Sequence, residues 1–256
     1  MKDAFFSTED LTVQFGGLIA VDHLTFEIRK GEIVSLIGPN GAGKTTAFNA
    51  ITGFIKPSKG FIRFCGEDLI GLRPFQIAEH GIVRTFQQTK VFPEVTVEES
   101  IRMGAHKMAE KGLFAILANS LQYRQKEKEV FERTEYILAF TGLAEKAAVL
   151  AKNLSYGEQR LLEIAVALAA EPKLLLCDEP VSGMNPEESR STMELIRALR
   201  KQGITILLVE HVMNVVMDIS DRIVVLNYGK KIAEGSPKEV SENREVIEAY
   251  LGGSLK

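Results

Sequence analysis

Residues 38–45 have the sequence GPNGAGKT, a complete Gly-x-x-x-x-Gly-Lys-Thr pattern for holding phosphate groups. Its glycines let backbone N–H groups curl around phosphate oxygens, Lys44 adds a positive charge toward the β and γ phosphates, and the Thr45 hydroxyl can bind Mg²⁺. The apolar run 33–37 before the loop is typical of a buried strand, and AFNAIT after it favours a helix. The alternative, a glycine-rich turn with a chance lysine, requires both flanking patterns to be coincidental. The predicted contacts to a nucleoside triphosphate are Gly38, Pro39, Asn40, Gly41, Ala42, Gly43, Lys44, Thr45 and Thr46.

A pair of acidic residues ends a second apolar run, in the segment LLLCDEP at 174–180. If that run is a strand of the same sheet, Asp178 holds the metal ion through water, while Glu179 polarises a water molecule for attack on the terminal phosphate. A solvated strand end is the alternative for an isolated Asp-Glu pair, and the upstream phosphate loop makes it the weaker one. Cys177, inside the apolar run, is predicted to be a small core residue and not a reactive thiol.

The composition bounds the classes of protein that could carry these residues. The chain has 256 residues, 45% of them hydrophobic, enough for a large core in one or two closely joined domains. Its net charge of −3 comes from 31 basic and 34 acidic residues, which disfavours nucleic acid as the main partner. Cys65 and Cys177 lack a metal-ligand spacing and predict no disulfide, as in a reducing cytosol. Because neither a signal-peptide pattern nor a membrane-spanning run is present, work at a membrane would require docking on another subunit.

The elements expected around the candidate residues alternate in type. In the first 65 residues, apolar and polar residues alternate as in β-strands, with one helix expected after the phosphate loop. Residues 98–150 are rich in Ala, Glu, Lys and Leu, which favours a helical subdomain. After Pro172, apolar strands at KLLLCDE, ITILLVEH and RIVVLNYG alternate with a helix from Asn185-Pro186 to Lys201. This order predicts α/β architecture with a parallel sheet.

The segment LSYGEQR, residues 154–160, lies between the helical region and the acidic strand and opens a helical pattern. It resembles the Leu-Ser-Gly-Gly-Gln signature of the ATP-binding cassette family, keeping Leu154, Ser155 and Gly157 but carrying Tyr156 and Glu158 at the other two positions. At a helix N-terminus, the Ser155 hydroxyl and the Gly157 backbone can meet a γ-phosphate. In the family that phosphate lies on the other protomer, so the resemblance implies a head-to-tail dimer with two ATP molecules between the subunits.

The same resemblance implies roles for other residues. Gln87, in RTFQQ, matches the glutamine that contacts Mg²⁺ and joins the core to the helical subdomain, and His211 matches the histidine that contacts the γ-phosphate. Phe15 corresponds to the aromatic residue that stacks on adenine, with a core strand position as the alternative. Asn185 stands where many members carry an aspartate that couples the two sites, and it lacks the charge. The implied catalytic residues are Lys44, Glu179 and His211, and the implied metal ligands are Thr45, Gln87 and Asp178.

The resemblance runs from about Leu11 to Gly253 and implies one ATPase domain over residues 1–256. Its fold would be the α/β fold of phosphate-loop NTPases. A RecA-like parallel-sheet core with an N-terminal antiparallel β subdomain would use 1–86 and 151–256, and an inserted helical subdomain would use 87–150. The implied mechanism is closure of the ATP-bound dimer, hydrolysis with Glu179 positioning the water, and reopening. A module that binds ATP without hydrolysing it is the alternative, and the presence of both Glu179 and His211 argues against it.

Four segments resemble one branch of the family, the larger ATPase subunit of branched-chain amino acid importers. They are FGGLIAVDHL, GIVRTFQQTKVFPEVTVEESI, an enlarged helical region after Gly104 and the tail VIEAYLGG. The branch implies ATP and Mg²⁺ as cofactors, membrane permeases and a second cassette, identical or paralogous, as partners, and a peripheral position on the cytoplasmic face of the membrane. The ATPases of urea or amide importers and cassette ATPases outside transport stay as alternatives. The insert 104–133 is either a solvated helical hairpin or part of a permease contact.

Overall fold

The computed structural model describes residues 4–85, 93–105 and 121–251. The chain forms two compact units. Unit 1 comprises Met1–Arg84, Lys173–Ser182 and Ile196–Lys256, and unit 2 comprises Thr85–Pro172 and Gly183–Leu195.

An antiparallel sheet forms the N-terminal part of unit 1. Its strands are β1 (Phe6–Phe15), β2 (Leu18–Ile28), β4 (Lys59–Phe64) and β5 (Glu67–Asp68), in the order β2-β1-β4-β5. Leu24, Phe26 and Ile28 are buried at alternate positions of β2, because successive side chains of a strand point to opposite faces. The predicted strand-rich N-terminal region is therefore confirmed.

A six-stranded sheet forms the core of unit 1, in the order β10-β9-β3-β8-β7-β6. Its strands are β3 (Ile33–Ile37), β6 (Ile82–Arg84), β7 (Leu174–Asp178), β8 (Thr205–Val209), β9 (Arg222–Asn227) and β10 (Lys230–Gly235). The strands β6, β7, β8, β3 and β9 run parallel, and β10 is antiparallel to β9. Every residue of β3, β7 and β8 is buried, as expected for parallel strands covered on both faces. The predicted α/β fold with a parallel core is confirmed.

This topology gathers the candidate residues of unit 1 at one edge. The carboxyl ends of parallel strands meet at the same sheet edge, where open α/β sheets bind their ligands. Gly38 follows β3, Glu179 follows β7, and His211 lies two residues after β8. The helices of unit 1 are α1 (Lys44–Ile51), α2 (Pro74–His80), α7 (Met213–Ile219), α8 (Pro237–Ser241) and α9 (Arg244–Leu251).

Unit 2 is helical where it is described. Its helices are α3 (Val97–Gly104), α4 (Leu121–Phe140) and α5 (Tyr156–Ala169), with short 3-10 turns at Ala144–Lys146 and Ala151–Asn153. A further helix, α6 (Pro186–Lys201), begins in unit 2 at the residue predicted from the Asn-Pro pair. Across the described ranges, every helix is too short or too polar to cross a bilayer.

Candidate functional site

The phosphate loop connects β3 to α1 and is held in a shape that only glycine permits at two positions. A Cβ atom on Gly38 would lie 2.1 Å from the backbone oxygen of Leu226, and one on Gly43 would lie 2.4 Å from that of Ala20. Gly43 is also the N-cap of α1 in the left-handed region, with φ of 100°. The loop therefore delivers the N-terminus of α1, with its unpaired N–H groups and positive dipole end, to the carboxyl edge of the sheet.

Lys44 is buried, and its ammonium is held by the loop itself. The Nζ atom donates to the carbonyl oxygens of Gly38, at 2.7 Å, and Pro39, at 2.9 Å. Burial lowers the pKa of Lys44 below its usual value, and the negative charges of Glu179 and Asp178 offset part of that shift. An ammonium that donates to neutral carbonyl oxygens here can donate to phosphate oxygens in their place.

The acidic pair lies where the sequence predicts, at the end of β7. The Asp178 side chain is buried, and Glu179 follows it with φ of 49°, a left-handed conformation that is uncommon outside glycine. The Glu179 N–H donates to the oxygen of Val209 at 2.8 Å, so pairing with β8 continues one residue past the strand. Burial raises the pKa of the Cys177 thiol to about 12, which fits the predicted core residue.

His211 and Glu179 meet at the sheet edge. The Nε2 atom of His211 lies 2.9 Å from Oε1 of Glu179, and 40% of the histidine side chain is exposed. The carboxylate is thus oriented by an imidazole while remaining within reach of solvent. Such a pair can hold a water molecule for attack on a phosphoryl group.

Glu210 is a buried residue of this edge to which the sequence analysis assigned no role. One of its carboxylate oxygens accepts the N–H of Val181 at 3.1 Å, and the other accepts the N–H groups of His211 at 2.7 Å and Val212 at 3.2 Å. Glu210 therefore ties the turn after Glu179 to the turn that carries His211. Its signal in the sequence is an acidic residue directly after the apolar run Ile206–Val209, a position where a buried carboxylate needs hydrogen-bond donors.

The signature segment of unit 2 forms a capped helix N-terminus. Ser155 is the N-cap of α5, its hydroxyl accepts the N–H of Glu158 at 3.3 Å, and the Glu158 carboxylate accepts the N–H of Ser155 at 2.8 Å. A Cβ atom on Gly157 would lie 2.8 Å from Oε1 of Glu188, so this glycine makes room for the start of α6. Ser155 and Gly157 line a cavity of about 290 Å³ within unit 2. The helix begins at Tyr156, within the segment LSYGEQR that predicts its start.

The two departures from the family signature pattern have partners within unit 2. Tyr156 accepts a hydrogen bond from Arg160 at 2.8 Å, and that guanidinium lies 5.2 Å from the Tyr156 ring centroid. The ring also packs against Gly183, where a Cβ atom would lie 3.0 Å from it. Glu158 completes the cap of α5. Both residues therefore support the segment that presents Ser155.

Asn185 caps α6, and its side chain is engaged in that role. Its Oδ1 atom accepts the N–H groups of Glu187 at 2.9 Å and Glu188 at 3.0 Å. An aspartate would accept the same two hydrogen bonds. The local geometry of this turn therefore does not require the missing charge.

The remaining predicted residues have different outcomes. Phe15 ends β1 with 49% of its surface exposed, so the core alternative for it is wrong and its ring is accessible to a ligand. Gln87 lies outside the described residues, and so does half of the insert 104–133, at 106–120.

The described residues include two of the three predicted magnesium ligands, Thr45 and Asp178. They contain no group of three or more His, Cys, Asp or Glu side chains placed to hold a metal ion. Mg²⁺ in phosphate-transfer sites is held by one or two protein oxygens, by phosphates and by water. The oxygen donors of Thr45 and Asp178, on the helix after β3 and at the end of β7, fit this requirement.

Two family models match the sequence. The model for the ABC transporter family matches residues 21–182, and the model for the branched-chain amino acid ATP-binding cassette transporter matches residues 230–255. The first match includes the phosphate loop, the signature segment and the acidic pair.

Named relatives are similar over nearly the whole chain. The high-affinity branched-chain amino acid transport ATP-binding protein LivG of Salmonella typhimurium is 46% identical over 253 residues, which cover 98% of this chain and 99% of the relative. The corresponding protein BraF of Pseudomonas aeruginosa is 42% identical with the same coverage.

Solved structures share the fold. An ATP-binding cassette of an ABC transporter in its ADP conformation has a TM-score of 0.85 and 34% identity, covering 97% of this chain and 99% of its own. A dimeric cassette in a post-hydrolysis state, bound to ADP and Pi, has a TM-score of 0.76 and 25% identity, covering 91% of this chain and 98% of its own.

Proposed function

The chain belongs to the ABC transporter family, and we propose that it is the ATP-binding and ATP-hydrolysing subunit that powers an importer of branched-chain amino acids. The proposal of the substrate class rests on the relatives, which share nearly their full length with this chain and carry that transport function in their names. The match of residues 230–255 to the branched-chain family model supports the same class.

Hydrolysis is supported by one observation above all, the contact between Glu179 and His211 at the sheet edge that carries the phosphate loop. The loop N–H groups and Lys44 bind the phosphates, and Glu179 orients the attacking water with His211 holding its carboxylate. Because the transition state of phosphoryl transfer is loose, positioning and charge stabilisation supply most of the catalysis.

A bound Mg²⁺ would neutralise charge on the transferred phosphate, and its proposed ligands are Thr45, Asp178 and Gln87. Thr45 lies in the first turn of α1, and Asp178 ends β7 with its side chain buried. These two residues present their oxygens from rigid elements, which reduces the reorganisation needed when the metal and nucleotide bind. Phe15 is proposed to stack on the adenine ring.

The signature segment is proposed to serve a second cassette. Ser155 is exposed at the N-terminus of α5, where backbone N–H groups and the helix dipole favour a phosphate. A related cassette is dimeric with ADP and Pi bound, which supports a dimer for this chain as well. The second cassette is an identical chain or a paralogue, and both would work on membrane permeases at the cytoplasmic face of the membrane. The core at 1–86 and 151–256 and the helical subdomain at 87–150 are part of this proposal.

Uptake by the intact transporter tests the proposed substrate. In cells that lack the chain, we expect the unchanged protein to restore uptake of radiolabelled leucine and the Glu179→Gln variant to fail at equal expression. Urea uptake, measured in the same cells, serves as the comparison because the ATPases of urea importers are similar. Leucine uptake that does not depend on the chain, or urea uptake that does, would contradict the proposal.

A further inference from the structure

Arg84, the last residue of β6, joins the acidic strand to the phosphate-loop helix. Its Nη2 atom donates to Oδ2 of Asp178 at 2.5 Å, and its Nη1 atom donates to Oδ1 of Asn49 at 2.6 Å. The guanidinium carbon lies 5.5 Å from the ring centroid of Phe48. Asn49 and Phe48 are both in α1, so one planar group contacts β7 and α1 at the same time.

The surroundings of this group fix its geometry. The Asp178 side chain is 1% exposed and that of Arg84 is 12% exposed, so the ion pair is largely removed from water. An ionised carboxylate at this depth is costly unless a cation and hydrogen bonds accompany it. The guanidinium presents its donors in a rigid fork, and the face of Phe48 limits the orientation of its plane.

The two hydrogen bonds of Arg84, to Asp178 of β7 and to Asn49 of α1, connect the elements that carry two proposed metal ligands. Asp178 is one of them, and Thr45 lies in the first turn of the helix that carries Asn49. The register of β6 and β7 places Arg84 beside Leu176, two residues before Asp178, so the Arg84 side chain can reach the Asp178 carboxylate. Arg84 engages one carboxylate oxygen and thereby sets the rotation of the whole carboxylate about its side-chain bonds.

From this geometry we propose that Arg84 is a positioning residue for the metal ion. It holds the Asp178 carboxylate at a fixed distance from α1, so that the oxygens of Asp178 and Thr45 are ready when the metal arrives with its nucleotide. The inference rests on the proposed function, since it presupposes that nucleotide and metal bind at this edge. It adds a residue that touches neither of them.

The effect of metal on nucleotide affinity tests the proposal without catalysis. Calorimetry with ADP, which the site cannot hydrolyse further, gives the dissociation constant in EDTA and again in Mg²⁺. We expect Arg84→Met to leave the EDTA value within about 2-fold and to reduce the gain produced by Mg²⁺ by about 10-fold, the usual loss when a partner of a metal ligand is removed. The spectrum of Mn²⁺, bound in place of Mg²⁺ and followed by electron paramagnetic resonance, is expected to broaden because the ligand geometry is no longer unique.

Three further variants distinguish a positioning role of Arg84 from an effect on folding and from an effect of its positive charge alone. Arg63→Met removes an arginine that also lies over a phenylalanine, 5.4 Å from the Phe61 ring centroid, and near a carboxylate, 3.6 Å from Glu9, but on the antiparallel sheet. It should leave the metal effect unchanged. Arg84→Lys keeps the positive charge without the forked guanidinium and should restore only part of the Mg²⁺-dependent increase in ADP affinity. Asn49→Leu removes the hydrogen bond between Arg84 and α1 and should lose part of that increase.

If Mg²⁺ increases the ADP affinity of Arg84→Met as much as that of the unchanged chain, while the melting temperature is lower, Arg84 is a purely structural residue and the proposal is overturned. A full recovery by Arg84→Lys would overturn it too, since charge alone would then suffice. Failure of the unchanged chain to bind ADP in EDTA or in Mg²⁺ would instead contradict the proposed function.

Discussion

The two compact units present their candidate phosphate contacts in different ways. In unit 1 the contacts depend on unusual structure: left-handed backbone at Gly43 and Glu179, and the buried ammonium of Lys44. In unit 2 the signature residue Ser155 belongs to an ordinary helix cap that Glu158 completes. Local strain persists where the surrounding structure enforces it, and it concentrates at functional sites.

The difference indicates what each unit contributes to a shared site. We propose that the edge of unit 1 binds the phosphate chain and holds the groups that act on it. The signature segment is capped by Ser155 and Glu158, and Ser155 is exposed at a helix N-terminus, where the first N–H groups lack partners within the helix. We therefore expect substitutions in unit 1 to remove nucleotide binding or hydrolysis, and substitutions in the signature segment to leave nucleotide binding and reduce hydrolysis.

The largest expected effect is on turnover. Glu179→Gln keeps the shape of the side chain but removes the carboxylate that orients water, so we expect steady-state hydrolysis to fall by at least about 100-fold with ATP affinity retained. Glu242→Gln, at an exposed carboxylate after α8, is the matched control and should hydrolyse ATP normally. Phosphate release measures the hydrolysis rate of both variants. A full rate for Glu179→Gln would contradict the assignment of hydrolysis to this edge of unit 1.

The next effect is on nucleotide affinity. Lys44→Ala removes a cation from the phosphate loop, and the loss of one charged hydrogen-bond donor should weaken ATP binding roughly 10- to 100-fold. Lys128→Ala, at an exposed lysine of α4 that pairs with Glu132, should bind ATP normally. Calorimetry distinguishes the two, and equal affinities would argue against the loop as the phosphate cradle.

A serine pair tests the contrast between the units most closely. Ser155 and Ser236 form the same capping box, on α5 and α8, with Glu158 and Glu239 as their partners. Replacing either serine by alanine should lower the free energy of unfolding by about 1 kcal/mol. Only Ser155→Ala should also reduce hydrolysis, by roughly 10-fold or more, because its hydroxyl is proposed to meet a phosphate of the second chain.

Urea unfolding and phosphate release measure the two effects of the serine variants separately. Equal losses of hydrolysis in Ser155→Ala and Ser236→Ala would mean that the cap alone matters. An unchanged hydrolysis rate in both variants would mean that the Ser155 hydroxyl takes no part in the reaction.

The smallest effect concerns pH. The N–H of Ser155 and then the ammonium of Lys146 lower the pKa of Glu158 below its ordinary value of 4.5. A carboxylate with a lowered folded pKa stabilises the protein above the ordinary value, and that contribution is lost as the pH falls through the folded pKa. The stability gap between the unchanged chain and Glu158→Gln should therefore narrow in acid, by less than about 0.5 kcal/mol because solvent screens the group.

Glu239→Gln provides the same comparison in unit 1, since the backbone of Ser236 lowers the pKa of Glu239. Urea unfolding at several pH values measures both variants. A gap for Glu158→Gln that widens in acid would contradict the assigned cap.

Local patterns predicted much of the site, and contacts distant in sequence did not follow from them. The phosphate loop, the acidic pair and the capped signature helix are contiguous segments with fixed spacing, so their local structure can be predicted from the sequence alone. The bond from Arg84 to Asp178 spans 94 positions and depends on β6 and β7 becoming neighbours. The role of Glu210 depends in the same way on the turn that contains Val181. The roles of the site residues and the bounds of the helical subdomain stay predictions.

Association of the Glu179→Gln chain in the presence of ATP tests the composite site most directly. With hydrolysis blocked, ATP bound at unit 1 of one chain should be held by Ser155 and Gly157 of another, so sedimentation velocity should detect a dimer with ATP and Mg²⁺ and a monomer without nucleotide. The Glu179→Gln/Ser155→Ala double variant should dimerise more weakly at the same ATP occupancy. A Glu179→Gln chain that remains monomeric while saturated with ATP would contradict a site built from two copies of this chain.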